Sequence, residues 1–139
     1  MIFVDAGLFY ARLSADDENH AAADLFFTGL GLAVPLVTTN VVLYEAHALL
    51  LRLSLVGRRV KGATPARRFL QQIDAGLCSV EHINGDDHRV ARQVIDTHDD
   101  KGFSCCDALS FVVMERLGVE IAASFDRHFK QYGKFAVFP

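Results

Sequence analysis

The 139-residue sequence contains no tryptophan and only three cysteines and three prolines. It has no CxxC pair, so a structural zinc site is not expected. So few cysteines, two of them adjacent (Cys105 and Cys106), suit a reducing cytoplasm better than a disulfide scaffold. No apolar run approaches the roughly 18 to 20 residues of a membrane span, and the first residues lack the basic leader of a signal peptide. We therefore expect a cytoplasmic protein that does not enter a membrane.

Positive charge is also scarce, with 14 Lys and Arg against 17 Asp and Glu and a net charge of −3. That total is atypical of a nucleic-acid-binding domain. The charges are segregated, however, because no acid occurs between positions 46 and 73. Such a basic block is typical of phosphate-backbone contacts, but it also suits a solvated helical surface. The candidate backbone contacts in this block are Arg52, Arg58, Arg59, Lys61, Arg67 and Arg68.

The order of apolar segments predicts the fold. No repeat or linker interrupts the chain, so we expect one domain over residues 1–139. Short apolar runs are predicted to be strands at 2–4, 36–38, 77–80, 120–123 and 135–138. Helical spacing predicts helices at 24–32, 40–55, 64–73, 86–98 and 105–117. The alternation favours an α/β fold with a mainly parallel central sheet of four to five strands flanked by helices.

Four acids fall where such a fold gathers functional groups, just past the carboxyl ends of its strands. Asp5 directly follows the first strand, and Asp126 comes shortly after the fourth. Asp107 lies in the first turn of the helix before that strand. Glu45 lies about one turn into the helix after the second strand, among apolar neighbours. We expect the four carboxylates to converge at one edge of the sheet.

Carboxylates that converge in apolar surroundings repel one another unless a cation compensates them. Oxygen ligands point to Mg²⁺ or Mn²⁺, and such an ion can activate water to attack a phosphodiester. Taken singly, each aspartate has a simpler explanation. Asp5 and Asp126 suit helix N-caps, and Asp107 suits the positive end of a helix dipole. The joint pattern favours the metal site.

Four segments of the chain resemble the PIN-domain family, most closely its VapC-type toxin ribonucleases. They are FVD at 3–5, TTNVVLYE at 38–45, FSCCDALSF at 103–111 and ASFDRHF at 123–129. The resemblance implies a metal-dependent endoribonuclease with Mg²⁺ or Mn²⁺ as cofactor. The catalytic and metal-binding residues that it implies are Asp5, Glu45, Asp107 and Asp126. It also implies auxiliary roles for the Ser124 hydroxyl and for Asp100 as an accessory acid.

The resemblance further implies an RNA substrate cut to 5′-phosphate and 3′-hydroxyl ends, a small antitoxin partner and a homodimer. Apolar residues in excess on the 40–55 helix suit a dimer or antitoxin contact, and equally the buried face of a core helix. One position departs from the family, since many members carry a hydroxyl residue where this chain has Gly7. We expect His128 to pack or cap near its neighbours, and we assign no histidine to catalysis.

Two other functions compete with this interpretation. A phosphatase-like domain that transfers phosphoryl groups through Asp5 usually carries a second acid two residues further on, which is Gly7 here. A binding module without catalytic activity has no need to keep all four acids. Both alternatives predict that the chain does not cleave RNA in the presence of a divalent cation.

Overall fold

The computed structural model describes residues 1–30, 34–56 and 64–139, with the side chains of 54–56 excepted. Its centre is a five-stranded sheet in the order β3-β2-β1-β4-β5, and every neighbouring pair of strands is parallel. The strands are β1 Ile2–Val4, β2 Leu36–Thr39, β3 Ser79–Glu81, β4 Ile121–Ala123 and β5 Ala136–Phe138. This confirms the predicted α/β class with a parallel sheet.

Seven helices connect and cover these strands in the described residues. They are α1 Ala6–Leu13, α2 His20–Gly29, α3 Asn40–Val56, α4 Pro65–Asp74, α5 Gly85–Thr97, α6 Cys105–Leu117 and α7 Arg127–Tyr132. Within the described parts of the chain, none of these helices has the length and apolarity needed to cross a membrane.

The central strand β1 is buried on both faces of the sheet, as expected for a parallel sheet covered by helices. Phe3 contacts Phe129 of α7, and Phe9 of α1 contacts Phe69 of α4. Phe111 of α6 meets Phe129 edge to face, with ring centroids 5.0 Å apart. The aromatic core therefore holds α1, α6 and α7 in place, and each of these helices begins near the carboxyl edge of the sheet.

Several boundaries differ from the sequence prediction. Helices α1 and α7 were not predicted, because each is short, at eight and six residues, and follows its strand almost without a loop. Helix α2 begins at His20 rather than at Asp24, where the apolar spacing starts. Strand β3 begins two residues later than expected. The extent of the domain, 1–139, stays a prediction.

Candidate active site

The register of β1 and β4 brings Asp5 and Ser124 together. Val4 pairs with Ala123 at the ends of the two strands, so the residues that follow them are neighbours. The Ser124 hydroxyl donates a hydrogen bond of 2.9 Å to Oδ2 of Asp5, and both residues are buried. The same hydroxyl oxygen accepts the N–H of Asp126 at 2.9 Å. Ser124 therefore links two of the predicted acids through one side chain.

Asp107 is fixed at the start of α6 by a reciprocal cap. Its N–H donates to the Ser104 hydroxyl at 3.0 Å, and its Oδ2 accepts the N–H of Ser104 at 2.8 Å. This arrangement satisfies two backbone groups that the helix start would otherwise leave unpaired. Asp107 therefore also stabilises the start of α6, as its sequence position suggested. The cap engages only one of its two carboxylate oxygens.

Asp126 is the N-cap of α7, and its Oδ1 accepts the N–H of His128 at 2.8 Å. The His128 ring lies between two acids, with Nδ1 2.9 Å from Oδ2 of Asp107 and 3.4 Å from Oδ1 of Asp126. One potential ligand atom from each of Asp107, Asp126 and His128 lies within 4.8 Å of the other two. The starts of α6 and α7 therefore converge on one point.

Glu45 lies in the second turn of α3 and is exposed, contrary to the apolar surroundings expected from its sequence neighbours. Val42 and Ala46 turn into the core, which leaves Glu45 on the outer side of the helix. It nevertheless reaches the other acids. Burial raises the pKa of the Cys106 thiol, and the hydrogen bond from this thiol to Glu45 raises it further, as do the charges of Asp5 and Asp107.

Burial and the neighbouring acids both affect the ionisation of Asp5. Burial is the main cause that raises the pKa of Asp5 to about 6, and the carboxylates of Glu45 and Asp107 raise it further against the lowering effect of the Ser124 hydrogen bond. A buried carboxyl group close to two others is stabilised by protonation or by a cation. The donors gathered here are carboxylate oxygens and one imidazole, a set that fits a divalent metal ion.

Asp100, predicted as an accessory acid, lies outside this group. It is exposed and pairs with Lys101 at 2.8 Å, and the hydrogen bond from Lys101 is the main cause that lowers its pKa. No contact among the described residues joins it to Asp5, Asp107 or Asp126. The structure therefore does not bring Asp100 into contact with these acids, and its accessory role stays a prediction.

The structure describes only some residues of the predicted basic block. Arg52 on α3 and Arg67 and Arg68 on α4 are exposed, and none of them forms an ion pair with another described residue. Arg52 follows Glu45 by seven residues, which places it on the same side of α3 roughly 10 Å further along the axis. Three of the predicted contacts lie outside the described residues: Arg58, Arg59 and Lys61.

Gly7 lies in the first turn of α1, beside Asp5. A Cβ atom at this position would come 3.6 Å from Oδ2 of Asp5, which is an ordinary van der Waals distance. A hydroxyl residue at position 7 would therefore fit beside the Asp5 carboxylate, so steric crowding does not explain why this chain has glycine there.

Sequence reasoning missed His128 as part of the site. Its position two residues after Asp126 suggested a role in packing or capping, and Phe103 does pack edge-on against its ring. The signal that was available is the spacing itself. A residue in the first turn of a helix that begins at an active-site edge has its side chain close to the N-cap acid.

Comparisons with known proteins agree with this architecture. The PIN domain family model matches residues 2–135. The 23S rRNA-specific endonuclease VapC20 of Mycobacterium tuberculosis, from two strains, is 33% identical over 139 residues, which cover 100% of this chain and 99% of the relative.

Solved structures give the same result. The crystal structure of Mycobacterium tuberculosis VapC20, a sarcin–ricin loop cleaving toxin, matches with a TM-score of 0.83 and 31% identity over 100% of both chains. FitAcB of Neisseria gonorrhoeae matches with a TM-score of 0.66 over 100% of this chain and 97% of that chain, but at 14% identity it shows the fold alone. The resemblance found in the sequence is confirmed, and the phosphatase-like alternative is not favoured. The chain belongs to the PIN-domain family and, within it, to the VapC-type endonuclease toxins.

Proposed function

We propose that the chain is a metal-dependent endoribonuclease that cuts a loop of ribosomal RNA. The proposed ligands of an Mg²⁺ or Mn²⁺ ion are Asp5, Glu45, Asp107 and Asp126. The observation that carries the proposal is the placement of buried Asp5 close to the carboxylates of Glu45 and Asp107, which together with burial raise its pKa. A bound cation relieves this repulsion and is able to activate water for attack on a phosphodiester.

The residues of the chain have distinct tasks in this proposal. A bound cation supplies Lewis-acid stabilisation of the scissile phosphate and activation of water. Ser124 orients the Asp5 carboxylate through its hydroxyl, and the N–H of Ser104 orients that of Asp107. These fixed hydrogen bonds prepare the carboxylates before substrate arrives, which lowers the cost of reorganisation during the reaction.

The substrate class follows from the relative and from the charge distribution. VapC20 is a 23S rRNA-specific endonuclease, and this chain is similar to it over its whole length. Exposed arginines are suited to bind the RNA phosphate backbone, and Arg52 lies on the same side of α3 as Glu45. The proposed backbone contacts are Arg52, Arg58, Arg59, Lys61, Arg67 and Arg68.

The proposal includes a biological setting. We expect the toxin to act in the cytoplasm, to form a homodimer and to be held inactive by a small antitoxin protein. On α3, Leu50 is buried and Leu43, Leu49 and Leu53 pack against the core, so these leucines serve the fold. Among the α3 side chains that the structure describes, Tyr44 and Leu51 are the large apolar ones that are exposed and available to a partner.

A cleavage assay tests the proposal directly. The substrate is a synthetic hairpin with the sequence of the 23S sarcin–ricin loop, labelled at its 5′ end, and the reaction is run with Mn²⁺, Mg²⁺ or EDTA. We expect one main cut that requires the metal and leaves a 3′-hydroxyl on the labelled fragment. Metal-dependent cutting of other RNA but not of this loop would contradict the proposed substrate. Cutting in EDTA would contradict the proposed metal-dependent mechanism.

A further inference from the structure

We propose that His128 is a further ligand of the metal ion, contributing Nδ1 beside the carboxylates of Asp107 and Asp126. The inference rests on the proposed metal dependence and deepens it, because a nitrogen donor changes which ions the site prefers. Carboxylate oxygens suit both Mg²⁺ and Mn²⁺, whereas an imidazole nitrogen is a better ligand for first-row transition metals than for Mg²⁺. The site is therefore expected to prefer Mn²⁺ over Mg²⁺ more strongly than four carboxylates alone.

The first support is the convergence of donor atoms. Among the described residues, the group of potential metal ligands within 4.8 Å of one another contains Asp107, Asp126 and His128. The imidazole Nδ1 is 2.9 Å from Oδ2 of Asp107 and 3.4 Å from Oδ1 of Asp126. A nitrogen this close to two carboxylates is placed to share a cation with them.

The second support is that the ring is held in place by the fold. The backbone N–H of His128 donates to Oδ1 of Asp126, which fixes the first turn of α7. Phe103 lies edge-on to the ring at a centroid distance of 5.5 Å, and the His128 side chain is only 18% exposed. A ring held in this way loses little conformational entropy when it binds a metal ion.

The third support is the use of the carboxylate oxygens. Hydrogen bonds among the described residues engage Oδ2 of Asp107 and Oδ1 of Asp126. The second oxygen of each carboxylate is left for a cation. Nδ1 is able to bind a metal ion in the neutral tautomer that carries its proton at Nε2.

The chain offers a matched control in His98. Its ring packs against the same Phe103 at 5.6 Å, and its Nδ1 bonds to the carbonyl of Val94 rather than to an acid. His98→Asn and His128→Asn therefore each remove one imidazole from beside Phe103. Only the second removes a nitrogen that contacts Asp107 and Asp126.

Pulsed electron paramagnetic resonance of bound Mn²⁺ tests the proposal without any measurement of activity. We expect a ¹⁴N coupling in the wild-type protein, the same coupling in His98→Asn, and its loss in His128→Asn. We also expect Mn²⁺ affinity to fall about tenfold in His128→Asn with Mg²⁺ affinity changed much less.

The outcomes separate this proposal from the proposed function. Mn²⁺ that binds the wild-type protein without ¹⁴N coupling, or with a coupling that persists in His128→Asn, overturns the role of His128 and leaves the metal-dependent nuclease standing. A wild-type protein that binds Mg²⁺ but not Mn²⁺ overturns the role of His128 alone, and one that binds neither ion overturns both proposals. Circular dichroism checks that His128→Asn is folded before its paramagnetic resonance spectrum is compared with that of the wild-type protein.

Discussion

The acidic edge (Asp5, Glu45, Asp107 and Asp126) and the basic face (Arg52, Arg67 and Arg68) differ in how the fold positions their side chains. Asp5, Asp107 and Asp126 follow strand ends or begin helices, and hydrogen bonds fix each of their carboxylates. Arg67 and Arg68 project from the surface of α4, and within the described chain they form no ion pair. The fold therefore fixes the proposed metal ligands by hydrogen bonds, and it leaves the side chains of the proposed RNA contacts free to adjust to a substrate.

Substitution of Asp5 tests the acidic side and carries the largest expected effect. Asp5→Asn removes a proposed metal ligand but retains an oxygen that accepts the Ser124 hydrogen bond. We expect RNA cleavage to fall by at least about 100-fold, because metal ligation and charge stabilisation are both weakened. A gel-based cleavage assay with Mn²⁺ measures the loss. The exposed Asp16→Asn is the control, and equal losses in both variants would contradict a specific role for Asp5.

The pH dependence of stability tests the same carboxylate without substrate. The pKa of Asp5 is raised from 3.8 to about 6 in the folded protein. The stability that protonated Asp5 contributes is therefore full below about pH 4 and is lost as the pH rises through about 6. Between pH 4 and 7, we expect the free energy of unfolding of metal-free wild type to fall by on the order of 2–3 kcal/mol relative to Asp5→Asn.

Urea denaturation in EDTA at several pH values measures this difference. Added Mn²⁺ at pH 7 is expected to restore the stability of the wild-type protein but not to change that of Asp5→Asn. If the free energy of unfolding changed with pH in the same way in both proteins, the pKa of Asp5 would not be raised by burial and by the neighbouring carboxylates.

Ser124→Ala tests how much the orientation of Asp5 matters. The variant removes the hydroxyl that joins Asp5 to the N–H of Asp126. We expect Mn²⁺ affinity to fall about 10-fold, as when a residue that orients a metal ligand is removed. Calorimetric titration measures the affinity. Ser110→Ala removes another buried hydroxyl, bonded to a carbonyl of its own helix, and is expected to leave metal affinity unchanged.

The basic face is tested by salt dependence. The double variant Arg67→Gln, Arg68→Gln removes two exposed positive charges from α4. We expect weaker binding of RNA and a plot of log affinity against log salt that is less steep by about 1 for each phosphate that the variant no longer neutralises. Fluorescence anisotropy with EDTA present measures binding alone. Arg89→Gln is the control because Arg89 pairs with Asp86. An unchanged slope in the double variant would show that Arg67 and Arg68 do not contact the RNA backbone.

The smallest effect is expected at Gly7. Gly7→Ser places a hydroxyl beside Oδ2 of Asp5 in space that the structure leaves open. We expect the free energy of unfolding to rise by about 0.5 kcal/mol, since serine favours a helix more than glycine does. Thermal denaturation measures it. Gly29→Ser lies in open space at the end of α2. A rise in Mn²⁺ affinity in Gly7→Ser but not in Gly29→Ser would show that the added hydroxyl reaches the site.

Much of the acidic edge could be predicted from the sequence because parallel strands end together. Once 2–4 and 120–123 are recognised as neighbouring strands, the positions of Asp5 and Ser124 follow. His128 could not be placed in this way. Its contact with Asp107 depends on how the starts of α6 and α7 meet, and α7 was itself not predicted.

Local sequence misled the prediction at Glu45. Its apolar neighbours suggested a buried carboxylate, but an α-helix turns successive residues to different sides, and Ala46 takes the core position. The two missed helices have a related cause. In α1, Gly7 and two aromatic residues in eight positions weaken the helical signal, and tertiary packing of Leu8 and Phe9 supplies the stability.

The central claim is that metal held at the acidic edge drives the cleavage of RNA. The most direct test titrates Mn²⁺ into one preparation and follows metal binding and hairpin cleavage together, in wild type and in Asp5→Asn. Binding and cleavage are expected to reach half their maximum at the same Mn²⁺ concentration in wild type, and to disappear together in the variant. Cleavage that persists in EDTA, or in an Asp5→Asn protein that binds no Mn²⁺, would contradict the claim.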